Sequence, residues 1–339
     1  MVIVMAPRAT DEDLAEVVRY VGTAGGSAFV SRGVNRTIVG VVGDERVLES
    51  IDLGHLPAVT EVVRITSPYK LVSHENHAGT STIRVGGVPI GPGTFTLIAG
   101  PCAVETPDQT LAAARLARGA GAVLLRGGAF KPRTSPYAFQ GLGLAGLKIL
   151  AEVSAEVGMP VVTEVVDAAD VAMVAEHADM LQVGARNMQN FTLLQAVGGA
   201  GRPVLLKRGL TATYEEWLMA AEYIAQRGNL DIVLCERGIR THETATRNTL
   251  DVAAVPMVHA MSHLPVIVDP SHAGGRRDLV LPLARAGIAA GADGLIVDVH
   301  AHPEQALVDG AQALVGESLA ELAAAITALA PLLGRTVVS

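Results

Sequence analysis

LLRGGAFKPR, residues Leu124–Arg133, decides how this chain is read. With the two residues before it, it opens as a short apolar run, Ala122–Leu125, of the kind that forms a buried strand in a parallel sheet. The run then breaks into Arg126, two glycines, Lys131, Pro132, Arg133 and Thr134, so three cations and a hydroxyl leave one strand end within nine residues. Water solvates such charges more cheaply than a fold can crowd them. The crowding therefore points to an anionic substrate with phosphate and carboxylate groups. A solvated basic loop is the plainer reading, and it ranks lower because the pattern recurs at later strand ends.

Working outward, the alternation is regular. Strands are predicted at Thr94–Ala99, Ala122–Leu125, Pro160–Glu164, Met180–Gly184, Pro203–Lys207, Asp231–Cys235, Pro265–Val268 and Gly294–Val297. Helices are predicted at Pro107–Arg118, Leu144–Val157, Ala168–His177, Phe191–Val197, Tyr214–Gln226, Thr249–Ser262, Asp278–Ala290 and Ser318–Leu333. Gly121, Gly158, Gly228 and Gly291 stand where helices should stop. Eight strand–helix units spread over about 240 residues make an α/β chain whose most economical closure is a (β/α)8 TIM barrel, with an open doubly wound sheet as the alternative. The composition agrees, with half the residues hydrophobic but only 3% aromatic, so the core must be built from Ala, Val, Leu and Ile.

Ahead of the barrel, the order of elements is βαββαβ, the signature of a small α+β ferredoxin-like module. Strands are read at Val2–Ala6, Ser27–Arg32, Arg36–Val42 and Val59–Ile65, with helices at Asp11–Val21 and Glu45–Ile51, a turn at Gly33–Asn35, and Thr10 as a helix cap. The module holds no cluster of titratable groups, so regulation or assembly suits it better than catalysis. The domains are then 1–66, a linker with a barrel-closing hairpin around Gly86–Gly87 over 67–93, and the catalytic barrel over 94–339.

Bulk properties exclude several classes. A net charge of −8 argues against broad nucleic-acid binding and makes the basic strand ends a local feature of an acidic protein. No apolar run reaches the ~18 residues of a membrane span, and the start lacks a basic-then-apolar leader, so a cytoplasmic location is expected. Two cysteines, Cys102 and Cys235, give no disulfide framework.

A barrel of this kind carries its active site at the C-terminal ends of its strands. The groups there sort into two chemistries. Arg126, Lys131, Arg133, Arg186, Lys207 and Arg237 form a cationic ring that would repel itself strongly if empty. Cys102, His272, Asp298 and Asp309 form a mixed soft and hard set, in which thiolate and imidazole favour Mn, Co, Fe or Zn over Mg or Ca. Glu164, ending the third strand, adds a carboxylate. Cys235 follows an apolar strand and belongs to the core.

The motifs Gly100-Pro101-Cys102, Lys131-Pro132-Arg133-Thr134-Ser135, Gly184-Ala185-Arg186-Asn187, Leu205–Gly209, Cys235–Thr241 and Asp269-Pro270-Ser271-His272 occur in this order. Together they resemble 3-deoxy-D-arabino-heptulosonate 7-phosphate (DAHP) synthases of the type I beta subclass, which is similar to 3-deoxy-octulosonate 8-phosphate synthase and includes members with an N-terminal ferredoxin-like regulatory domain. The resemblance spans essentially the whole chain. It implies a metal-dependent condensation of phosphoenolpyruvate with erythrose 4-phosphate, the first step of the shikimate pathway of aromatic amino acid biosynthesis. Arg186 and Arg237 would hold the phosphate of phosphoenolpyruvate, with Ala185 beside them. Arg126, Lys131 and Lys207 would hold its carboxylate or bridging oxygen, and Arg133 and Thr134 the phosphate of the aldose. Glu164 or a water held by a lysine would manage the proton of the attacking water. Cys102, His272, the strand-eight acid and Asp309 would hold the divalent metal.

Two departures from the pattern stand out. The strand-eight acid is usually glutamate and here is Asp298, one methylene shorter. Tyrosine-regulated members place histidine where this chain has Phe29, next to the serine matching Ser31; Phe29 cannot donate a hydrogen bond to a phenol. Feedback inhibition by tyrosine is therefore expected to be weak, absent or replaced by that of another ligand, a phenylalanine-selective site among the options. The resemblance further implies a homodimer or homotetramer and is compatible with association with a separate chorismate mutase. The alternatives are the octulosonate synthase itself, which Pro132 and Arg133 disfavour, a relative accepting an altered sugar phosphate, and an inert barrel serving as a binding subunit.

Overall fold

In a computed structural model the described residues are 1–32, 37–43, 53–63, 67–77, 79–133 and 135–339, and they divide into two compact units, 1–78 and 79–339. In the first unit β1 (Val2–Met5) lies between β3 (Thr37–Val42) and β4 (Val59–Val63), and β2 (Ser27–Arg32) forms the other edge. All pairings are antiparallel, in the strand order β2-β3-β1-β4 expected of a ferredoxin-like module. Helix α1 (Asp11–Thr23) starts at a capping box, in which Thr10 and Asp13 satisfy each other's backbone N–H groups. Its apolar positions Leu14, Val17 and Val21 fall on one face and bury against Ile3, Met5, Val39 and Val41. The turn expected at Gly33–Asn35 and the helix expected at Glu45–Ile51 lie outside the described residues.

The second unit is a closed barrel. Its parallel strands are β7 (Thr94–Gly100), β8 (Leu124–Arg126), β9 (Val161–Val165), β10 (Met180–Val183), β11 (Val204–Lys207), β12 (Ile232–Glu236), β13 (Val266–Val268) and β14 (Gly294–Asp298). They pair in chain order, and β14 returns to β7 over Gly294–Asp298 against Thr96–Gly100. Inward-facing Ile98, Leu124, Val162, Met180, Leu205, Val233, Ile267 and Ile296 fill the interior, and Cys235 packs among them as a small hydrophobe. Burial pushes the Cys235 thiol far above its ordinary range, so it stays protonated and inert.

A hairpin of β5 (Ile83–Val85) and β6 (Val88–Ile90) closes the interior, since Ile83, Val85 and Ile90 belong to the same buried cluster. Val85 pairs with Val88, so the connecting loop is Gly86–Gly87, and both glycines have positive φ. That is the conformation a tight hairpin turn requires and that side chains resist.

The outer helices follow the reading with local differences. The helix expected over Thr249–Ser262 begins only at Ala254 and ends at Met261, because the segment before it is drawn over the barrel mouth. Asp269 caps a short helix, α8 (Pro270–Gly274), beyond the eight predicted from the sequence. The last helix stops at Leu329, two residues before Pro331, and a short strand β15 (Thr336–Val337) then pairs with β7. Among the described residues no helix is long and apolar enough to cross a membrane.

The hairpin is thus part of the core rather than an ornament. Ile90→Ala removes a fully buried side chain from the interior cluster and should cost roughly 2–5 kcal/mol, read as a lowered thermal midpoint. An unchanged midpoint would mean that the hairpin contributes nothing to the barrel.

Candidate active site

Eight parallel strands put their C-terminal residues on one rim, and the sequence loads that rim with charge. Arg126 ends β8, Lys207 ends β11, Asp298 ends β14, and Glu164 sits one residue before the end of β9. Arg126, Lys207 and Glu164 open into one cavity of about 290 Å³, and Asp298 lies buried behind it. All six cations expected from the sequence line it, as do Glu164, Ala185, His272 and Asp309. Thr134 lies outside the described residues. Phe29 and Ser31 lie in the other unit, on β2 and two residues apart, so they share one face of that edge strand; Phe29 is exposed.

Carboxylates hold the deepest cations in place. Arg126 pairs with Asp298 over the end of β7, the strand between theirs, and both are almost fully buried. Lys207 donates to Asp269 Oδ2 at 2.5 Å. Burial works most strongly against its charge, but its partners, Asp269 foremost, together raise Lys207 above its ordinary value. Arg237 is different. Burial pulls it below the usual arginine range against the attraction of Asp269, and the neighbouring Arg247 and Arg186 cations pull the same way. Its Nη1 is buried without a partner, as is Nε of Arg126. Buried guanidinium donors left unpaired in a cavity wall are what an incoming anion would satisfy.

Glu164 constrains its neighbour. A Cβ built on Gly184 would stand 2.0 Å from Glu164 Oε1, so only glycine allows the carboxylate to sit where β10 turns into Ala185–Asn187. Arg186 rides on that turn and faces the cavity mouth.

The second group lies against the same wall. Ligand-type atoms of Cys102, His272, Asp298 and Asp309 all fall within 4.8 Å of one another. Cys102 Sγ is 3.3 Å from Asp309 Oδ2 and 3.8 Å from His272 Nε2. His272 Nε2 is 3.7 Å from both Asp298 Oδ2 and Asp309 Oδ2. Lys131 Nζ reaches the Cys102 sulfur at 3.2 Å and its carbonyl at 3.0 Å, joining this group to the cationic ring. Asp269 Oδ2 stands 2.8 Å from His272 Nδ1, an ion-pair distance although off the line of a good hydrogen bond, and leaves Nε2 facing the thiol. This is the arrangement by which a carboxylate orients a ligating imidazole.

Packed together, these groups shift one another. Burial opposes the charge of His272, yet Asp269 and Asp298 raise its pKa to about 9. Burial likewise opposes ionisation of Asp309, but His272, Arg247 and a hydrogen bond from Cys102 bring it down to about 2. A thiol, an imidazole and two carboxylates converging on one point fit a divalent transition metal in donor chemistry and in spacing. Asp298, despite its shorter side chain, stays within reach of the other three donors.

Sequence reasoning missed several contributors. Arg247 is a seventh cation of the cavity and arrives from a loop with no strand-end signal. Gln312 donates to Asp298 Oδ2 at 2.6 Å from a second loop. Arg208, next to Lys207, faces away from the cavity. It pairs with Glu236 at 3.0 Å and Asp251 at 2.8 Å and lies over the Tyr214 ring, tying down the strand end that carries Arg237. The run Lys207-Arg208 held the signal for two opposite directions, since successive strand residues alternate.

Comparison with known proteins agrees with this geometry. The DAHP synthetase I family matches residues 56–333, and the DAHP synthase ferredoxin-like domain matches residues 1–67. A phospho-2-dehydro-3-deoxyheptonate aldolase of Thermotoga maritima is 52% identical over 334 residues, covering 98% of this chain and 99% of that protein. A 2-dehydro-3-deoxyphosphooctonate aldolase of Syntrophobacter fumaroxidans is 35% identical, covering 70% of this chain and 87% of its own length. The crystal structure of DAHP synthase from Thermotoga maritima superposes with a TM-score of 0.79 at 50% identity, over 99% of both chains. A cavity lined by cations, a thiol–imidazole–carboxylate set beside it, and full-length kinship in both units lead to one statement: the chain belongs to the DAHP synthetase I family.

Proposed function

We propose that the barrel condenses phosphoenolpyruvate with erythrose 4-phosphate and water, releasing DAHP and inorganic phosphate, with the residues of this cavity in the following roles. The observation that carries the reading is the convergence of seven cations on one cavity that His272 and Asp309 also line, with Cys102 and Asp298 grouped close behind those two. Both reactants bring phosphate dianions and one brings a carboxylate, which matches that excess of positive charge. Arg186 and Arg237 take the phosphate of phosphoenolpyruvate. Arg126, Lys131 and Lys207, the buried cations, take its carboxylate and bridging oxygen. Arg133, with Thr134, takes the phosphate of the aldose, and Ala185 lines the cavity beside Arg186.

A divalent ion held by Cys102, His272, Asp298 and Asp309 would supply Lewis acidity at the aldehyde oxygen. The protein does the rest by placement and charge. The cations hold carbon 3 of phosphoenolpyruvate against the aldehyde carbon; a carbon–carbon bond forms there as the carbonyl π pair moves onto the aldehyde oxygen, which takes up a proton to become a hydroxyl, balancing the proton given up by the attacking water. Water adds at carbon 2, where positive charge develops, and Glu164 in the wall takes its proton. The carbon–oxygen bond of the hemiketal phosphate then breaks, and the departing phosphate leaves from Arg186 and Arg237. Pro132 and Arg133 favour the four-carbon aldose, as does the higher identity to the heptonate aldolase than to the octonate aldolase.

Kinship suggests a homodimer or homotetramer and a cytoplasmic enzyme free to associate with a separate chorismate mutase. For the first unit we favour an aromatic amino acid effector at the face bearing Phe29 and Ser31. An apolar Phe29 accepts a ring without a hydroxyl and offers a phenol no hydrogen bond.

Three outcomes test this. Chelator-treated protein should consume phosphoenolpyruvate with erythrose 4-phosphate only after Mn, Co, Fe or Zn is restored, and Cys102→Ala should abolish that restored turnover; near-normal activity in the variant would sink the metal assignment. Turnover with arabinose 5-phosphate instead would move the chain to the octulosonate chemistry. The second outcome concerns pH. A protonated imidazole cannot ligate, and His272 is held protonated up to about 9, so ion binding must displace its proton. Mn affinity should therefore rise with pH from neutrality and level off above about pH 9, as followed by calorimetric titration; a flat profile would contradict it. Third, inhibition by phenylalanine should exceed inhibition by tyrosine, and Phe29→His should reverse the order. Tight tyrosine inhibition of the unaltered chain would refute that assignment.

A further inference from the structure

Two side chains with no assigned part in the reaction link the carboxylates of the donor set. Arg247 Nη1 donates to Asp309 Oδ1 at 3.0 Å and to Gln312 Oε1 at 3.1 Å. Gln312 turns its other end to Asp298, Nε2 to Oδ2 at 2.6 Å. The result is an unbroken chain, Asp309–Arg247–Gln312–Asp298, ending on Arg126. Its members come from three separate stretches of backbone, so it fixes distances that no single loop could fix.

Both links are anchored. The backbone of Arg247 and Asn248 bonds to Gly274 and Ala273 of α8, and Asn248 Nδ2 donates to the carbonyl of His272 at 3.1 Å. The dipeptide thus touches the helix that carries His272 while its arginine reaches Asp309. The approach is close enough that a Cβ on Gly275, which has positive φ, would stand 2.6 Å from the Cβ of Arg247. On the other side, Arg277 clamps the loop of Asp309 and Gln312 from outside, bonding the carbonyls of Ala313 at 2.6 Å and Gly310 at 3.2 Å. Asp309 itself sits at φ 55, a left-handed conformation that aspartate tolerates and the loop must hold. Gln312 is only 1% exposed. A buried amide spends its donor and acceptor where they are needed, and here it spends both on this chain.

We infer that Arg247 and Gln312 are positioning residues that set the separation of the two carboxylates in the donor set, and through it the affinity and selectivity for the divalent ion. Arg247 takes Oδ1 of Asp309 and leaves Oδ2, the oxygen facing Cys102 and His272. Gln312 steadies Asp298, whose side chain is short for its task and which Arg126 grips from the other side. The pair governs the hard donors alone, since Cys102 and His272 are held by Lys131 and Asp269.

The inference rests on the metal reading of the site, and the test separates the two. Mn²⁺ and Zn²⁺ binding to metal-free full-length protein would be measured by competition with a chromophoric chelator, for the unaltered chain, Gln312→Met, Arg247→Met and the double variant. Gln312→Met keeps length and removes the hydrogen bonds; Arg247 lies in a partly exposed loop, so its variant keeps the test alive if the buried one fails to fold. Mn²⁺ affinity should fall about 10- to 100-fold in each single variant, as outer partners of metal ligands commonly require. Zn²⁺, which leans on thiolate and imidazole, should lose less. The double variant should be little worse than the weaker single one, because the two act in one chain. Metal-free thermal midpoints should stay near that of the unaltered chain. If the unaltered chain binds neither ion, the metal reading falls and this inference with it. If it binds them and the single variants bind equally well, or lose both ions in parallel with a collapsed midpoint, the metal reading stands and the positioning role is overturned.

Discussion

The site depends on a constraint of closure. Eight parallel strands that end on one rim bring their last side chains together, and this chain ends two of them in a cation and places further cations just beyond others. Like charges in a low-dielectric barrel mouth repel far more than in water. The structure meets that with carboxylates placed on other strand ends, with Asp298 against Arg126, Asp269 against Lys207, and Glu236 against Arg208. Each pair ties neighbouring or next-neighbouring strand ends, and Arg126–Asp298 bridges the seam where β14 meets β7, so electrostatic balance and barrel closure enforce each other.

Such pairs do little for net stability, because desolvating two charges offsets most of their attraction. Stability comes from the aliphatic interior and from the hairpin beneath it. What the pairs provide is fixed orientation. Arg126 shows it well: its Nη1 is spent on Asp298 while its Nε remains unpaired in the wall. One guanidinium thus stands between the cationic ring and the donor set. Lys131 does the same through the Cys102 sulfur. The two chemistries that the residues separate by type are a single network in space.

How much of this was legible in the chain follows from how each residue is positioned. Residues at strand ends are placed by topology, so once eight strands were recognised, Arg126, Glu164, Lys207 and Asp298 had to meet. His272 and Cys102 follow within a few residues of strand ends and inherit that certainty. Arg247 and Gln312 do not. They sit eleven and fourteen residues beyond the last residues of β12 and β14, where no periodicity constrains the path, and their importance lies in where two loops return. The short helix α8 was missed because Pro270 after Asp269 reads equally as a turn, and only the capping bond from His272 N to Asp269 distinguishes the two. The helix expected from Thr249 starts late for a related reason. Thr249 is instead paired with Ile239 in an antiparallel bridge, and the two residues before it, Arg247 and Asn248, bond to α8 and bring Arg247 to the cavity.

Asp298 illustrates the same logic at the scale of one methylene. By type, an aspartate where glutamate is usual reads as a ligand withdrawn from its metal. In place, its oxygens accept from Arg126 and Gln312, and Oδ2 still lies 3.7 Å from His272 Nε2. The shorter reach is absorbed by its neighbours, because a carboxylate gripped from two sides needs less length to hold a position than one left to swing. A residue's capacity to ligate is then a property of the groups that hold it, and the identity of the residue alone underdetermines it.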